Sequence, residues 1–229
     1  MSKNILITGC SSGLGLALTN LYLEKGFKVY GISRTKPQIE NKNFIFKNFD
    51  LSNINEIKIK LQSFIENIKT IETVYLNAGM LGEIKASTKT QVSELNKVYE
   101  LNVYANKELL DILATIKVSN IIAISSGASV NGSKGWASYS LSKAGVNMLI
   151  NLYSKELQET KLLAVAPGVI ETPMTDYIRF DIDDEEFPSA KRLKESHIQK
   201  PEEAAKRLDD VISNINNFES GSFINVRNI

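Results

Sequence analysis

The sequence predicts an α/β fold, a doubly wound parallel sheet of about seven strands with helices on both faces. Short apolar runs alternate with longer amphipathic stretches along the whole chain. Several runs, such as residues 121–124, are apolar at consecutive positions, as parallel strands covered on both faces require. A glycine-rich segment joins the first run to the first amphipathic stretch, which indicates a tight connection from a strand to a helix.

The individual elements follow from these two patterns. Strands are predicted at residues 4–8, 27–32, 44–48, 73–77, 120–125, 162–166 and 222–226, and helices at 14–25, 54–68, 92–116, 138–159 and 201–215. A chain of 229 residues with 43% hydrophobic content suits one domain, covering 1–229. Residues 171–200 fit neither pattern. Their acidic run, 181–186, favours a solvated loop leading into a helix, and a mobile substrate lid is the alternative.

Composition excludes several classes of function. The formal net charge is +1 and the basic residues are dispersed, so we expect neither nucleic acid nor a membrane surface as a partner. The start of the chain has no apolar signal segment, and no run approaches the roughly 20 apolar residues of a membrane span, so a cytoplasmic protein is expected. With one cysteine, Cys10, and one histidine, His197 in a polar context, we expect no disulfide and no metal site.

The first strand is followed by the turn Thr-Gly-Cys-Ser-Ser-Gly-Leu-Gly, residues 8–15, and then by a helix. Gly9 permits the tight turn, Gly13 lets backbone amides approach a pyrophosphate, and Gly15 allows close contact between helix and strand. The amino terminus of the helix adds partial positive charge. This order of elements predicts a dinucleotide site.

The second strand ends at Ser33 and Arg34. An acidic residue here would bind the ribose 2′-hydroxyl of NAD, whereas an arginine pairs with the 2′-phosphate of NADP. NADP (NADPH) is therefore predicted, with NAD as the less favoured cofactor. Five residues at the carboxyl ends of the third and fourth strands are predicted to line the same site: Asp50, Leu51, Asn77, Ala78 and Gly79.

The fifth strand ends near Ser126, thirteen residues before Tyr139. Tyr139 and Lys143 are four residues apart on a predicted helix and so share one face. A nearby ammonium favours the phenolate, so we expect Lys143 to lower the pKa of Tyr139. For carbonyl reduction, Tyr139 would protonate the developing alkoxide and Ser126 would donate a hydrogen bond to the same oxygen.

Together these motifs resemble the short-chain dehydrogenase/reductase family over nearly the whole chain. Its pattern of T-G-x-x-x-G-x-G, N-A-G, a lone Asn, a Ser, Y-x-x-x-K and a P-G segment occurs here in order. The matching positions are Thr8 to Gly15, Asn77 to Gly79, Asn102, Ser126, Tyr139 to Lys143, and 167–173. The resemblance implies a Rossmann-like fold and an NADP-preferring carbonyl reductase.

The resemblance also implies roles for further residues. Asn102 would hold a water that links Lys143 to solvent, and Lys143 would also bind the nicotinamide ribose. The phosphates would be lined by Ser11, Ser12 and Leu14, and the nicotinamide side by Pro167, Gly168, Val169 and Thr172. The family association implies a homodimer or a homotetramer, and the sequence leaves both open.

Two other kinds of function also fit the sequence. A catalytically silent NADP(H)-binding sensor or scaffold would keep the fold without turnover, although it has no need for a tyrosine placed against a lysine. A sugar-nucleotide epimerase or dehydratase uses a related site but usually needs a larger substrate domain. The substrate is predicted to be a small carbonyl or alcohol compound, and Trp136 and Met174 flank its expected position.

Overall fold

The computed structural model describes residues 3–229. All seven strands are parallel and form one sheet in the order β3-β2-β1-β4-β5-β6-β7. The strands are β1 (Asn4–Thr8), β2 (Lys28–Ser33), β3 (Phe44–Asn48), β4 (Thr70–Leu76), β5 (Lys117–Ile124), β6 (Lys161–Ala166) and β7 (Phe223–Asn225). The predicted Rossmann-like α/β fold is confirmed. The strand order reverses beside β1, so the carboxyl ends of β1 and β4 border a crevice.

Eight α-helices connect and cover these strands within residues 3–229. They are α1 (Gly13–Glu24), α2 (Ile57–Glu66), α3 (Val92–Tyr99), α4 (Ala105–Leu113), α5 (Ala137–Glu156), α6 (Pro173–Phe180), α7 (Pro188–Glu195) and α8 (Pro201–Ser213). Within this range no helix has the length and apolar character needed to cross a membrane.

The sheet separates two apolar cores. Leu6 of β1 points into the core that contains α2, α4 and α5. Its neighbours Ile5 and Ile7 point into the opposite core, formed with α1 and α8. Because successive side chains of a strand point to opposite faces, a strand buried on both sides must be apolar at every position. This is why the consecutive apolar runs of the sequence mark central strands.

The helix predicted at residues 92–116 is divided. A π-helical turn, Glu100–Tyr104, separates α3 from α4 and carries the buried Asn102. The Asn106 side chain donates to the Asn102 backbone carbonyl at 2.8 Å. A π-turn widens the helix locally and is common at functional sites. The apolar periodicity of the sequence does not reveal it, because apolar positions continue on both sides.

The loop and helix start predicted around the acidic run are found, with α7 beginning at Pro188, but residues 173–180 also form a helix that the sequence analysis did not predict. The region forms α6 and α7, each with proline at its first position, where the missing N–H has no partner to lose. The acidic run is only the connection between them, and Asp183 there accepts hydrogen bonds from the backbone of Glu185 and Glu186. Apolar side chains beneath the two helices form a third cluster that includes Ile178, Phe187 and Ala190. Mobility of this region stays a prediction.

Candidate active site

A cleft of about 530 Å³ opens at the carboxyl ends of the strands. It brings together residues from Gly9 to Leu193, as a ligand site at the crevice of an open α/β sheet requires. Gly15 and Asn102 do not line it. The other predicted site residues all do: Gly9, Ser11, Ser12, Gly13, Leu14, Ser33, Arg34, Asp50, Leu51, Asn77, Ala78, Gly79, Ser126, Tyr139, Lys143, Pro167, Gly168, Val169 and Thr172.

The turn at residues 8–15, the phosphate turn, is shaped by its backbone. Gly9 has φ +67°, in the left-handed region that favours glycine, and its N–H donates to the Ile32 carbonyl at 2.8 Å. A Cβ atom on Gly15 would lie 2.1 Å from the Gly9 carbonyl oxygen and 2.6 Å from the Asn77 amide nitrogen. Gly15 therefore acts behind the cleft by allowing α1 to approach β1.

The side chains of Thr8 and Asn77 join this turn to the end of β4. The Asn77 side-chain amide donates to the Thr8 carbonyl at 3.0 Å and to the Gly9 carbonyl at 3.2 Å. The buried Thr8 hydroxyl oxygen accepts the backbone N–H groups of Asn77 and Ala78, at 2.9 and 3.0 Å. Asn77 thus has a structural role besides lining the cleft. Sequence reasoning did not give Thr8 a role of its own.

Arg34 lies exposed at the rim beside the phosphate turn. Ser33 is buried, and its hydroxyl donates to the Thr35 carbonyl at 2.8 Å. Asp50 accepts hydrogen bonds from the Ser52 hydroxyl and backbone. These bonds, with a smaller contribution from the Arg34 charge, hold the pKa of Asp50 below its usual value. Arg34 therefore presents its cation close to a carboxylate that stays ionised.

Ser126, Tyr139 and Lys143 line the same cleft as the phosphate turn. Tyr139 and Lys143 share one face of α5, and the Lys143 Nζ atom lies 5.6 Å from the centroid of the Tyr139 ring. Lys143 is buried and donates to the Ile124 carbonyl at 2.6 Å. Ser126 accepts a hydrogen bond from the Ala128 N–H at 3.2 Å through its hydroxyl oxygen. Tyr139 and Lys143 thus lie on one face of the helix, as predicted.

The expected lowering of the Tyr139 pKa is not found. Burial raises the pKa of Tyr139, and the hydrogen bond with Ser126 lowers it by less. Burial also lowers the pKa of Lys143 to about 8. The reason is that the protein interior disfavours both charged forms, while the ammonium donates to the Ile124 carbonyl rather than to the phenol. Tyr139 is therefore protonated at neutral pH.

Asn102 lies behind the cleft and is fully buried. Its amide nitrogen donates to the Met80 carbonyl and to the Ser142 hydroxyl, both at 2.9 Å, and its amide oxygen accepts the Met80 N–H at 2.8 Å. The side chain thus joins the π-turn to the segment after β4 and to α5. The water relay implied by the family resemblance stays a prediction.

The segment after β6 closes the cleft on the remaining side. Gln199 is buried and its side-chain amide donates to the Pro167 carbonyl at 2.5 Å, beneath Gly168. Thr172 caps α6 by accepting the Thr175 N–H at 3.4 Å. A Cβ atom on Gly13 would lie 3.0 Å from the Thr172 methyl carbon. The phosphate turn and this segment therefore face each other across a gap that glycine keeps open.

Four apolar side chains form the part of the cleft next to Tyr139, which we call the substrate wall: Trp136, Met174, Ile178 and Leu193. The Trp136 indole N–H donates to the Ser189 hydroxyl at 2.5 Å, and the indole packs edge-on against the Tyr139 ring, with centroids 6.0 Å apart. Sequence reasoning named Trp136 and Met174 and missed the other two. A helical periodicity in residues 173–195 was the available signal.

Comparisons with known proteins identify the family. The family model described as short chain dehydrogenase matches residues 3–183. A benzil reductase ((S)-benzoin forming) of Bacillus subtilis is 34% identical over 188 residues, covering 76% of this chain and 77% of the relative. A benzil reductase of Bacillus cereus is 30% identical, covering 98% of this chain and 99% of the relative. A solved short-chain dehydrogenase/reductase of Saccharomyces cerevisiae has the same fold, with a TM-score of 0.84, 22% identity and coverage of 98% and 96%. The chain belongs to the short-chain dehydrogenase/reductase family of oxidoreductases, whose members bind nicotinamide cofactors.

Proposed function

We propose that this protein is an NADP(H)-dependent carbonyl reductase that interconverts a carbonyl and an alcohol. Tyr139 is the general acid in reduction and the general base in the reverse direction. The observation that carries the proposal is the meeting of Ser126, Tyr139 and Lys143 on the wall of the cleft that also contains the phosphate turn. A catalytically silent binding protein needs only the phosphate turn, so these three groups favour turnover.

The chain's residues fit a dinucleotide. The amino terminus of α1 faces the cleft and carries no acidic side chain in its first turn, so its N–H groups are suited to phosphates. The gap between Gly13 and Thr172 would be filled by a single added Cβ. A bound nicotinamide would supply the hydride for reduction.

Tyr139, Ser126 and Lys143 have complementary tasks in this reaction. The Tyr139 Oη–H bond breaks as its proton moves to the substrate oxygen, on which charge develops. The Ser126 hydroxyl, whose hydrogen bond lowers the pKa of Tyr139, would donate to that same substrate oxygen when substrate is bound. The Lys143 ammonium stabilises the phenolate that Tyr139 becomes. The raised pKa of Tyr139 keeps the proton in place until the substrate oxygen takes it.

Arg34 supports NADP as the preferred cofactor. Its guanidinium is exposed at the rim of the cleft and makes no salt bridge within residues 3–229. No acidic residue stands at the end of β2 to accept a ribose hydroxyl in its place. A 2′-phosphate beside Arg34 would form a charge-assisted hydrogen bond.

The substrate wall supports an uncharged carbonyl compound with an apolar substituent. Among the residues that line the cleft, the charged ones are Arg34, Asp50 and Lys143, and none of them belongs to this wall. A carboxylate or phosphate on the substrate would find no cation there except Lys143. Three relatives are named benzil reductases, which agrees with ketones or diketones that bear aromatic groups.

The test is a panel of carbonyl compounds with purified protein, followed by loss of NADPH absorbance and repeated with NADH. The panel contains benzil, a small aliphatic diketone, a simple ketone and a 3-oxoacyl thioester. We expect fastest reduction of benzil, with NADPH preferred. Tight NADPH binding with no turnover of any compound would reject the enzyme and favour the sensor reading.

We also propose self-association through α5. Its residues Leu141, Met148 and Leu152 are 50%, 59% and 54% exposed, and their spacing places them on one side of the helix. Exposed apolar patches of this kind mark association surfaces. Sedimentation velocity distinguishes the homodimer from the homotetramer, and a monomer at micromolar concentration would reject the proposal.

A further inference from the structure

We propose that Asn147 is a positioning residue that fixes Ser126 relative to Tyr139 and Lys143. The inference rests on the proposed function, because Asn147 acts only through Ser126. Asn147 lies on α5 one turn beyond Lys143 and is outside the set of residues that line the cleft. It therefore has no direct contact to offer a substrate or a cofactor in that cleft.

Asn147 joins α5 to the segment that carries Ser126. Its amide oxygen accepts the Ser125 hydroxyl at 2.6 Å, and its amide nitrogen donates to the Ser129 hydroxyl oxygen at 2.8 Å. The Ser129 hydroxyl in turn donates to the Ser126 carbonyl at 2.6 Å. Asn147 thus holds the residue before Ser126 directly, and holds Ser126 itself through one intermediate.

The hydrogen-bond inventory of these groups requires an amide at position 147. Ser129 has one hydroxyl hydrogen and gives it to the Ser126 carbonyl, so toward residue 147 its oxygen can only accept. This orients the amide, with nitrogen toward Ser129 and oxygen toward Ser125. A side chain with only acceptors, such as Asp, would leave Ser129 one hydrogen for two acceptors. A side chain without polar atoms would serve neither serine.

The same helix face also holds the end of β5. Lys143 donates to the Ile124 carbonyl at 2.6 Å, and Asn147, four residues later, holds Ser125. Because Tyr139 belongs to the same helix, α5 sets the positions of all three reacting groups at once. Ser126 is the one group that does not lie on α5, so its position depends on these connections.

The test compares Asn147→Leu, which keeps the branching and the number of heavy atoms of the side chain, with the control Asn151→Leu. Asn151 lies one turn further along α5 and donates to the Gly221 carbonyl at 3.3 Å, away from Ser126. We expect Asn147→Leu to lower kcat for benzil about 10- to 100-fold, since a displacement of about 1 Å in a reacting group has an effect of this size. The KM for NADPH should change less than about twofold, as should both constants in the control.

A double-mutant cycle separates positioning from a general structural effect. In the Ser126→Ala background, where single-turnover assays reach slow rates, Asn147→Leu should lower the rate by less than about twofold, because the hydroxyl it positions is gone. An equal loss in both backgrounds would overturn the proposal. So would a wild-type kcat in Asn147→Leu.

Two further measurements decide the matter if Asn147→Leu does not fold or if no carbonyl is turned over. Ser129→Ala removes the donor to the Ser126 carbonyl without altering α5, and it should lower kcat as Asn147→Leu does. Crystal structures of Ser129→Ala and of the wild type should differ by about 1 Å in the distance from Ser126 Oγ to Tyr139 Oη. An unchanged distance would overturn the inference, whereas a wild-type protein inactive on every carbonyl would reject the proposed function alone.

Discussion

The phosphate turn is held through its own backbone groups, which bond to the Ile32 carbonyl and to the Asn77 side chain, whereas the opposite side of the cleft is joined by a bond between two side chains from segments far apart in the sequence. In the turn, the Gly9 N–H meets the Ile32 carbonyl and the Asn77 amide meets two backbone carbonyls. Across the cleft, the Trp136 indole meets the Ser189 hydroxyl, fifty-three residues away. The positions of the phosphate turn therefore tolerate few residue types, whereas the positions on the opposite side of the cleft tolerate many.

This difference separates cofactor binding from substrate choice. The phosphate turn can bind the phosphates of a dinucleotide, which are the same in every reaction. The substrate wall can change its shape without disturbing the sheet, because α6 and α7 pack on their own apolar cluster rather than on the two main cores. Substrate choice is therefore expected to follow the substrate wall and cofactor binding to follow the turn.

Replacing Tyr139, the proposed general acid, should have the largest effect on kcat. Tyr139→Phe removes the transferable proton but keeps the ring against Trp136, so kcat for reduction should fall about 10²- to 10⁴-fold. NADPH affinity, measured by fluorescence titration, should stay within about threefold, since the phosphate turn is untouched. Tyr99→Phe, on α3, is the matched control. A wild-type kcat in Tyr139→Phe would show that another group donates the proton.

A single methyl group added at Gly15 should disrupt the phosphate turn. Gly15→Ala places a Cβ atom 2.1 Å from the Gly9 carbonyl oxygen, so α1 must move away from β1. We expect unfolding free energy to fall by about 1–3 kcal/mol, measured by denaturant titration, and NADPH affinity to fall with it. Gly132→Ala is the control, because its Cβ would meet no atom within 4 Å. Equal stability of the two variants would contradict the role of close packing here.

Arg34 lies beside the phosphate turn but would recognise the cofactor through its side chain. Arg34→Asp replaces the partner of a 2′-phosphate with a partner for a ribose hydroxyl, so the NADPH to NADH ratio of kcat/KM should fall about tenfold or more. Lys36→Asp, two residues away and exposed, makes the same change of charge. If both variants shift the ratio equally, the general field rather than Arg34 recognises the phosphate.

The rate of reduction should depend on pH through Lys143. Burial lowers the pKa of Lys143 to about 8, so its ammonium is present below pH 8 and is lost as the pH rises above it. Without that charge the phenolate formed at Tyr139 is less stabilised, and kcat should fall up to about tenfold per pH unit above 8. Lys143→Arg, which stays charged, should remove this decline. A wild-type rate that is flat to pH 10 would show that the ammonium is not required.

The smallest effect is expected at the contact between Trp136 and Ser189. Ser189→Ala removes the acceptor of the indole N–H but leaves the apolar surface, so KM for benzil should rise about two- to fivefold, consistent with the loss of one hydrogen bond of about 0.5–1 kcal/mol. The rate with a small aliphatic diketone should not change, because that substrate does not reach the indole. Equal changes for both substrates would place the effect on α7 as a whole.

The sheet and the phosphate turn were predictable because their signals are local. Consecutive apolar residues such as 121–124 mark a strand buried on both faces, and the glycines of residues 9–15 mark a turn that other residues cannot form. The pairing of Tyr139 with Lys143 was also local, since a helix places residues four apart on one face.

Tertiary structure alone decided the rest, because it depends on which distant groups meet and how deeply they are buried. The sequence predicted a lowered pKa for Tyr139, yet burial raises this pKa, and the Lys143 ammonium donates to the Ile124 carbonyl instead of the phenol. The π-turn at Asn102 and the link from Asn147 to Ser126 through Ser129 likewise have no local signature. Each depends on contacts that exist only after the sheet has brought its strand ends together.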